Sequence, residues 1–94
     1  MHTIWKFHVP SSDTFTLELP ARARFLDVQV QQGTPVLWFL VDPDADKVMR
    51  RFVLCGTGKP VPEAELLTHL GTFQLYLNQL VVHLFEYDAL APVR

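Results

Sequence analysis

The sequence predicts an all-β protein, a compact sandwich or small barrel of about seven mainly antiparallel strands. Apolar and polar residues alternate with a period of two in one run after another. Turn formers interrupt these runs roughly every 8 to 12 residues, the spacing of meandering hairpins. Hydrophobic residues make up 49% and charged residues 19% of 94 residues, which excludes disorder for the body of the chain and supplies one thin core.

Each element follows from its own pattern. Thr3 to Val9 sets Trp5, Phe7 and Val9 on one face and Lys6 and His8 on the other, then stops at the turn cluster Pro10-Ser11-Ser12-Asp13. Thr14 to Leu19 turns Phe15, Leu17 and Leu19 inward and Thr16 and Glu18 outward, and Pro20 closes it. These two runs read as a first hairpin. Arg24 to Gln31 places Leu26, Val28 and Val30 on one face and Asp27, Gln29 and Gln31 on the other, a half-buried antiparallel strand. Gln32-Gly33-Thr34 turns the chain into Pro35 to Val41, whose two faces, Val36-Trp38-Leu40 and Leu37-Phe39-Val41, are both apolar. Such a strand sits centrally or packs one face on another subunit. Asp42 to Asp46 is a turn, and Lys47 to Cys55 is the fifth run, in which Arg50 and Arg51 point to opposite faces.

Gly56 to Pro62 breaks the alternation. At most one short helical turn is expected near residues 62–67, with Pro62 at its first position. Leu70 to Leu77 and Leu80 to Tyr87 read as a last hairpin around Asn78-Gln79, and residues 89–94 as the loose tail of a single domain, 1–94.

Composition narrows the function classes. The longest apolar run, Val36 to Val41, falls far short of the about 20 residues of a membrane-spanning helix, so no membrane association is expected. The N-terminus has no basic start followed by a long apolar stretch, which points to the cytoplasm. Cys55 is the single cysteine and forms no intrachain disulfide. A net charge of −2 argues against non-specific nucleic-acid binding.

The motifs mostly fail their own chemistry. Asp42-Pro43-Asp44-Ala45-Asp46 spaces carboxylates like a calcium loop, but Lys47 stands where that loop needs glycine and Val53 where it needs glutamate. It reads as a solvated turn. Gly56-Thr57-Gly58-Lys59 lacks the remaining P-loop positions, which hold Val53 and Pro60. Its glycines still let backbone N–H groups approach an anion, with Lys59 beside them. His2, His8, His69 and His83 show no zinc-ligand spacing, so neither a metal nor a cofactor is expected. His83 lies in an apolar strand and reads as a hydrogen-bonded core or interface residue. Cys55 reads as a small buried hydrophobe. No catalytic residue is assigned, and an enzyme is the least favoured class.

Aromatic and basic residues remain. Most of the two Trp, seven Phe and two Tyr belong to the core. Two strands apolar on both sides imply a second buried surface, for which another copy of the chain is the simplest cover, hence a homo-oligomer. One of the two arginines is expected to face solvent or a ligand, the other to pair with a carboxylate such as Asp42 or Asp27. Candidate ligand or partner contacts are Arg50, Arg51, Gly56, Thr57, Gly58 and Lys59, with Trp5 or Trp38 as an aromatic wall.

Several strings resemble a known family: Thr3-Ile4-Trp5-Lys6, the stretch from Leu26 to Trp38, Leu40-Val41-Asp42-Pro43, Arg51-Phe52-Val53, Gly56-Thr57-Gly58, Pro60-Val61-Pro62 and Gly71-Thr72-Phe73-Gln74-Leu75. The family consists of short all-β proteins without assigned function, found widely in phage and prophage genomes. The resemblance covers nearly the whole chain and supplies no catalytic residues. This chain departs from it at Tyr76-Leu77-Asn78-Gln79, where the family is richer in Gly and Asp, which argues against a two-residue hairpin there. The resemblance implies a phage-encoded accessory protein that binds a host component, such as a defence protein or a nucleotide signal, and acts by stoichiometric sequestration or blockade. A minor virion or assembly protein is the structural alternative, and an enzyme with an unrecognised site the chemical one.

Overall fold

A computed structural model describes residues 1–77 and 79–88; the expected tail at 89–94 and Asn78 lie outside the described residues. The alternating runs form seven strands: β1 (Thr3–His8), β2 (Thr14–Pro20), β3 (Arg24–Gln31), β4 (Thr34–Val41), β5 (Lys47–Gly56), β6 (Leu67–Leu75) and β7 (Leu80–Tyr87). They build two sheets, β1-β4-β3 and β2-β5-β7-β6, and every pairing is antiparallel. The all-β expectation holds. The helical segment is a 3-10 turn, Ala64–Leu66, and it begins after Glu63 rather than at Pro62.

β1 and β2 do not form the expected hairpin. β1 pairs with β4 in one sheet, and β2 pairs with β5 in the other. The link between them crosses from sheet to sheet, tied by Val9 N–H to the Pro35 carbonyl and by Leu54 N–H to the Asp13 carbonyl. Alternation identifies a strand but not its partner. The two direct hairpins are β3–β4 and β6–β7. In the first, Gln32 and Gly33 both have positive φ, 52° and 81°, the requirement of a type I′ turn that matches strand twist.

The face of β3 also differs from the simple alternation. A bulge between Phe25 and Asp27 leaves Leu26 unpaired and exposed. It brings Phe25 into the inward row with Val28, where both pack in the core. Asp27 supports this kink, its Oδ1 accepting from Val28 N–H at 2.9 Å and its Oδ2 from Gln29 Nε2 at 2.9 Å.

The core lies between the sheets. Leu37, Phe39 and Val41 of β4 face Phe52, Leu84, Leu19 and Phe73 of the opposite sheet, and all but Phe73 are fully buried. Phe39 is the hub: its ring meets Phe7, Phe25 and Phe52 edge-on at 6.0, 5.7 and 6.2 Å. Trp5 touches Phe7, and Phe15 stacks on Phe52. Edge-on aromatic contacts of this kind add about 0.5–1.5 kcal/mol each beyond burial.

One side of the sandwich is closed by β3 packing on β6. Gly71 makes this approach possible, since a Cβ there would lie 2.7 Å from Val28 Cγ1. Substituting Gly71→Ala is expected to destabilise the fold by about 1–3 kcal/mol, as overpacking does. Chemical denaturation of G71A, V28A and the double variant checks it. The double variant should be more stable than the sum of the single losses predicts, because Val28→Ala vacates the clashing position.

β5 and β6 are parallel with β7 between them, so the chain must return from Gly56 to Leu67 along the sheet. Their β7 partners, Val82 and Tyr87, are five residues apart, about 17 Å. Residues 57–66 make this return over the outer face. Val82 and Leu84 point into the core, so His83 and Tyr87 point outward, and both touch the strap: Thr57 Oγ1 lies 2.8 Å from His83 Nε2, and Tyr87 Oη donates to Glu63 Oε1 at 3.1 Å. The second apolar face of β7 therefore gains cover from the chain itself. The outer row of β4 lies between Lys6 and His8 of β1 and Asp27 and Gln29 of β3, and Val36 in that row is buried.

Candidate functional site

The residues singled out in the sequence fall in four places. Arg50 points into the sandwich at the end where β5 begins. Its Nη2 donates to Glu86 Oε1 at 2.8 Å, its Nε to Glu86 Oε2 and its Nη1 to the Ala23 carbonyl, and its guanidinium lies 5.2 Å from the Phe39 ring centre. The carboxylate partner is thus Glu86, not Asp42 or Asp27, because β5–β7 pairing sets Glu86 opposite Phe52, two residues from Arg50 on the same face. Arg51 takes the outer face and stacks over Tyr87 at 4.1 Å. Trp5 faces inward at the sandwich edge, with Lys47 Nζ 5.9 Å from its ring centre. Trp38 lies on the outer face of the other sheet, opposite Lys6 and Asp27.

Gly56, Thr57, Gly58 and Lys59 stay together at the far end of β5. Gly56 to Gly58 is six residues or more from Arg50, about 20 Å of extended strand. Lys59 N–H donates to the Gly56 carbonyl at 3.1 Å and Gly58 has φ 85°, so the second glycine serves a tight turn. The structure therefore does not bring the arginines or tryptophans to the glycine turn.

It places the turn at the mouth of a cleft instead. This cleft, about 540 Å³, opens at the end of the sandwich. Its apolar lining comes from Val9, Leu54, Phe73, Leu75, Leu80 and Val82, and its polar margin from Ser11, Ser12, Asp13 and Lys59. Gly33 to Pro35 and Tyr76 complete the wall. Four connections converge here because β1, β3, β5 and β6 all end on this side. A second hollow of about 510 Å³, lined by Lys6, His8, Gln31, Gln32, Thr34 and Val36, lies on the outer face of the three-stranded sheet.

The β6–β7 tip borders the cleft. β6 ends at Leu75, earlier than the alternation suggested, and Tyr76 and Leu77 take positive φ, 53° and 56°. Two consecutive large side chains in the left-handed region store about 1–3 kcal/mol each. Both stand in solvent, 74% and 94% exposed.

On the outer face of the four-stranded sheet, a polar chain escaped sequence reasoning. Thr57 Oγ1, His83 and Thr72 are joined at 2.8 Å to Nε2 and 2.9 Å to Nδ1, and His69 Nε2 lies 3.1 Å from Thr72 Oγ1. His83 is hydrogen-bonded as expected, but it stands half-buried on the outer face rather than in the core, and its partners are Thr57 and Thr72. Thr72 stands opposite His83 in the β6–β7 ladder, and Thr57 follows Gly56 at the end of the β5–β7 ladder on the same face.

Cys55 is buried and lies opposite His83 in the ladder. Burial, with a smaller contribution from the Asp13 carboxylate, pushes its thiol above its ordinary range. The thiolate is the reactive form. Disulfide exchange with a chromogenic reagent near neutral pH is expected to run at least about tenfold slower than in the denatured chain. Asp13→Asn should accelerate it only modestly, since burial is the larger cause.

Among the described residues no cluster of three or more His, Cys, Asp or Glu is placed to hold a metal ion, and no helix is long and apolar enough to cross a membrane. A family model described as a domain of unknown function (DUF7352) matches residues 1–93. Comparison with curated proteins and with solved structures returns no match.

Proposed function

The chain belongs to the DUF7352 family of domains of unknown function, and from its geometry we propose that it is a binding protein that acts by occupancy rather than turnover, with the end cleft as its site. The observation that supports this is the meeting of an apolar-floored cleft with Lys59 and the Gly56–Gly58 turn at its margin. A nucleotide-like molecule suits that combination. Its planar base lies on the floor formed by Phe73, Leu75 and Leu80, Tyr76 offers a stacking ring, and its phosphate meets the Lys59 ammonium. Thr57 and Gly58 lie beside that charge. Arg50 has no part in the site, because Glu86 and the Ala23 carbonyl already occupy its guanidinium.

The phage context implied by the family resemblance makes the action sequestration of a host signal or blockade of a host protein. The exposed tip at Tyr76 and Leu77 is the surface we assign to a protein partner or to a second copy in a homo-oligomer. Native mass spectrometry on protein purified gently from host cells tests the reading, because it reports subunit number and retained ligand together. The expected result is an oligomer carrying a mass in the nucleotide range. Lys59→Ala should weaken that binding about ten- to a hundredfold, the effect of losing one charge-assisted hydrogen bond. A ligand that binds K59A and L80D as well as the parent places the site elsewhere, and a protein without retained ligand that also fails to bind a nucleotide panel by calorimetry removes the nucleotide reading.

A further inference from the structure

We infer that Thr57, His83 and Thr72 form an acyl-transfer relay, with Thr57 as nucleophile, His83 as general base and Thr72 as positioning residue, able to hydrolyse activated carboxylic esters slowly. The inference does not rest on ligand binding in the end cleft, although Thr57 and Gly58 adjoin Lys59 at its margin. It rests on three distances and one backbone group. Thr57 Oγ1 is 2.8 Å from His83 Nε2, His83 Nδ1 is 2.9 Å from Thr72 Oγ1, and Thr72 Oγ1 is 3.1 Å from His69 Nε2. A hydroxyl bonded to an imidazole that is itself oriented by a third group is the arrangement that activates an oxygen nucleophile.

The chain of bonds has a consistent direction. Of the two directions these distances allow, the relay uses the one in which His83 Nδ1–H donates to Thr72 and the Thr72 hydroxyl donates to His69 Nε2. That leaves His83 Nε2 with its lone pair toward the Thr57 proton. In this direction His69 holds the tautomer of His83 through Thr72. Thr57 is solvent-exposed on a turn between two glycines, so a substrate carbonyl reaches it without a flanking side chain in the way. The next residue, Gly58, has φ 85° and its N–H makes none of the backbone hydrogen bonds of this turn, whose donors are Thr57 and Lys59. The N–H following a nucleophile is a standard donor to the tetrahedral oxyanion.

The reaction balances without a further reagent. Thr57 Oγ bonds to the carbonyl carbon while its proton moves to His83 Nε2. The bond from that carbon to the leaving oxygen breaks, and His83 returns the proton to the leaving group. Water then adds to the acyl carbon by the same route, releasing a carboxylic acid and restoring the Thr57 hydroxyl. Thr72 is neutral and orients the imidazole without stabilising its charged form as a carboxylate does, so the acceleration from the base belongs at the low end, about a hundredfold.

The test is hydrolysis of p-nitrophenyl acetate by the whole chain, with peptide mapping of any acetyl adduct and circular dichroism on every variant. Thr57→Val sets the background from the other imidazoles. The parent should exceed that background about a hundredfold, with the adduct on Thr57. Folded Thr57→Ser should keep or raise the activity, and His83→Gln should lose it. Thr72→Val should lower kcat with KM unchanged, and Thr72→Ser should restore it. Equal rates for the parent and Thr57→Val overturn the relay, as does an adduct on Lys59 or a histidine instead of Thr57. A folded but inactive Thr57→Ser overturns it too.

Discussion

Phe39→Ala is expected to cost about 3–5 kcal/mol, the largest single-residue loss in the molecule, and to shift the urea midpoint downward with little change in slope. Phe39 is fully buried at the centre of β4 and is the ring that joins the two sheets through Phe52. It also carries Phe7 and Phe25 and forms the floor under Arg50. Removing it leaves a cavity bounded by stiff aromatic rings and a charge, which relaxes poorly. A small domain has about 5–15 kcal/mol of stability in all, so this variant approaches the unfolding threshold. Phe39→Leu should lose less, because a leucine refills part of the space. A loss under about 1 kcal/mol for F39A shows that the sheets hold together without the hub.

The second large effect is expected at Arg50 and Glu86. Removing one partner of a buried ion pair costs about 3–5 kcal/mol. Here the side chains are 22% and 15% exposed, so solvent screens part of it and about 2–3 kcal/mol is expected for Glu86→Gln or Arg50→Met. In E86Q the guanidinium keeps the Ala23 carbonyl and the Phe39 ring but loses its countercharge. In R50M the carboxylate is left against the core. The double variant Arg50→Met with Glu86→Leu should recover most of the loss, since matched apolar side chains avoid desolvating either charge. A thermal or urea double-mutant cycle measures this coupling. Additive losses show that the pair is dispensable and that each residue acts through packing alone.

These two sites show how far local pattern reaches. The row Leu37, Phe39, Val41 was legible as one apolar face of β4, because β-strand side chains alternate, but both faces are apolar and the pattern alone did not choose the inward one. The same rule put Arg50 and Arg51 on opposite faces. It did not say which face was inside, since β5 begins with exposed residues and its inward row contains Arg50 among apolar neighbours. Glu86, the partner, lies 36 residues away in sequence. Gly71 carried an unread signal: a glycine within a strand pattern marks a bulge or a close backbone approach, and both are present.

The polar chain on the outer face was less legible still. Thr72 and His83 sit opposite each other in the β6–β7 ladder, so a hairpin register one residue off would have separated them. Thr57 joins them because it follows Gly56 at the end of β5, with its N–H bonded to the Val81 carbonyl and its side chain on the face of Cys55 and His83. The glycine pair was visible in the sequence as a place where backbone comes close to something, yet its nearest partners are a histidine from β7 and the mouth of a cleft built from four connections.

The sequence by itself determined the all-β class, the extents of most strands, the tight Gln32-Gly33 turn and the apolar rows from which the core is drawn. These are properties of neighbouring residues, expressed through a two-residue period and through the φ angles each turn residue tolerates. Only the tertiary structure decided that β1 and β2 part company into different sheets, that Glu86 neutralises Arg50, that the predicted contact residues disperse, and that Thr57, His83 and Thr72 meet. Those outcomes depend on which distant strand completes each ladder and in what register, a choice made by the total burial of both sheets and not by any one segment.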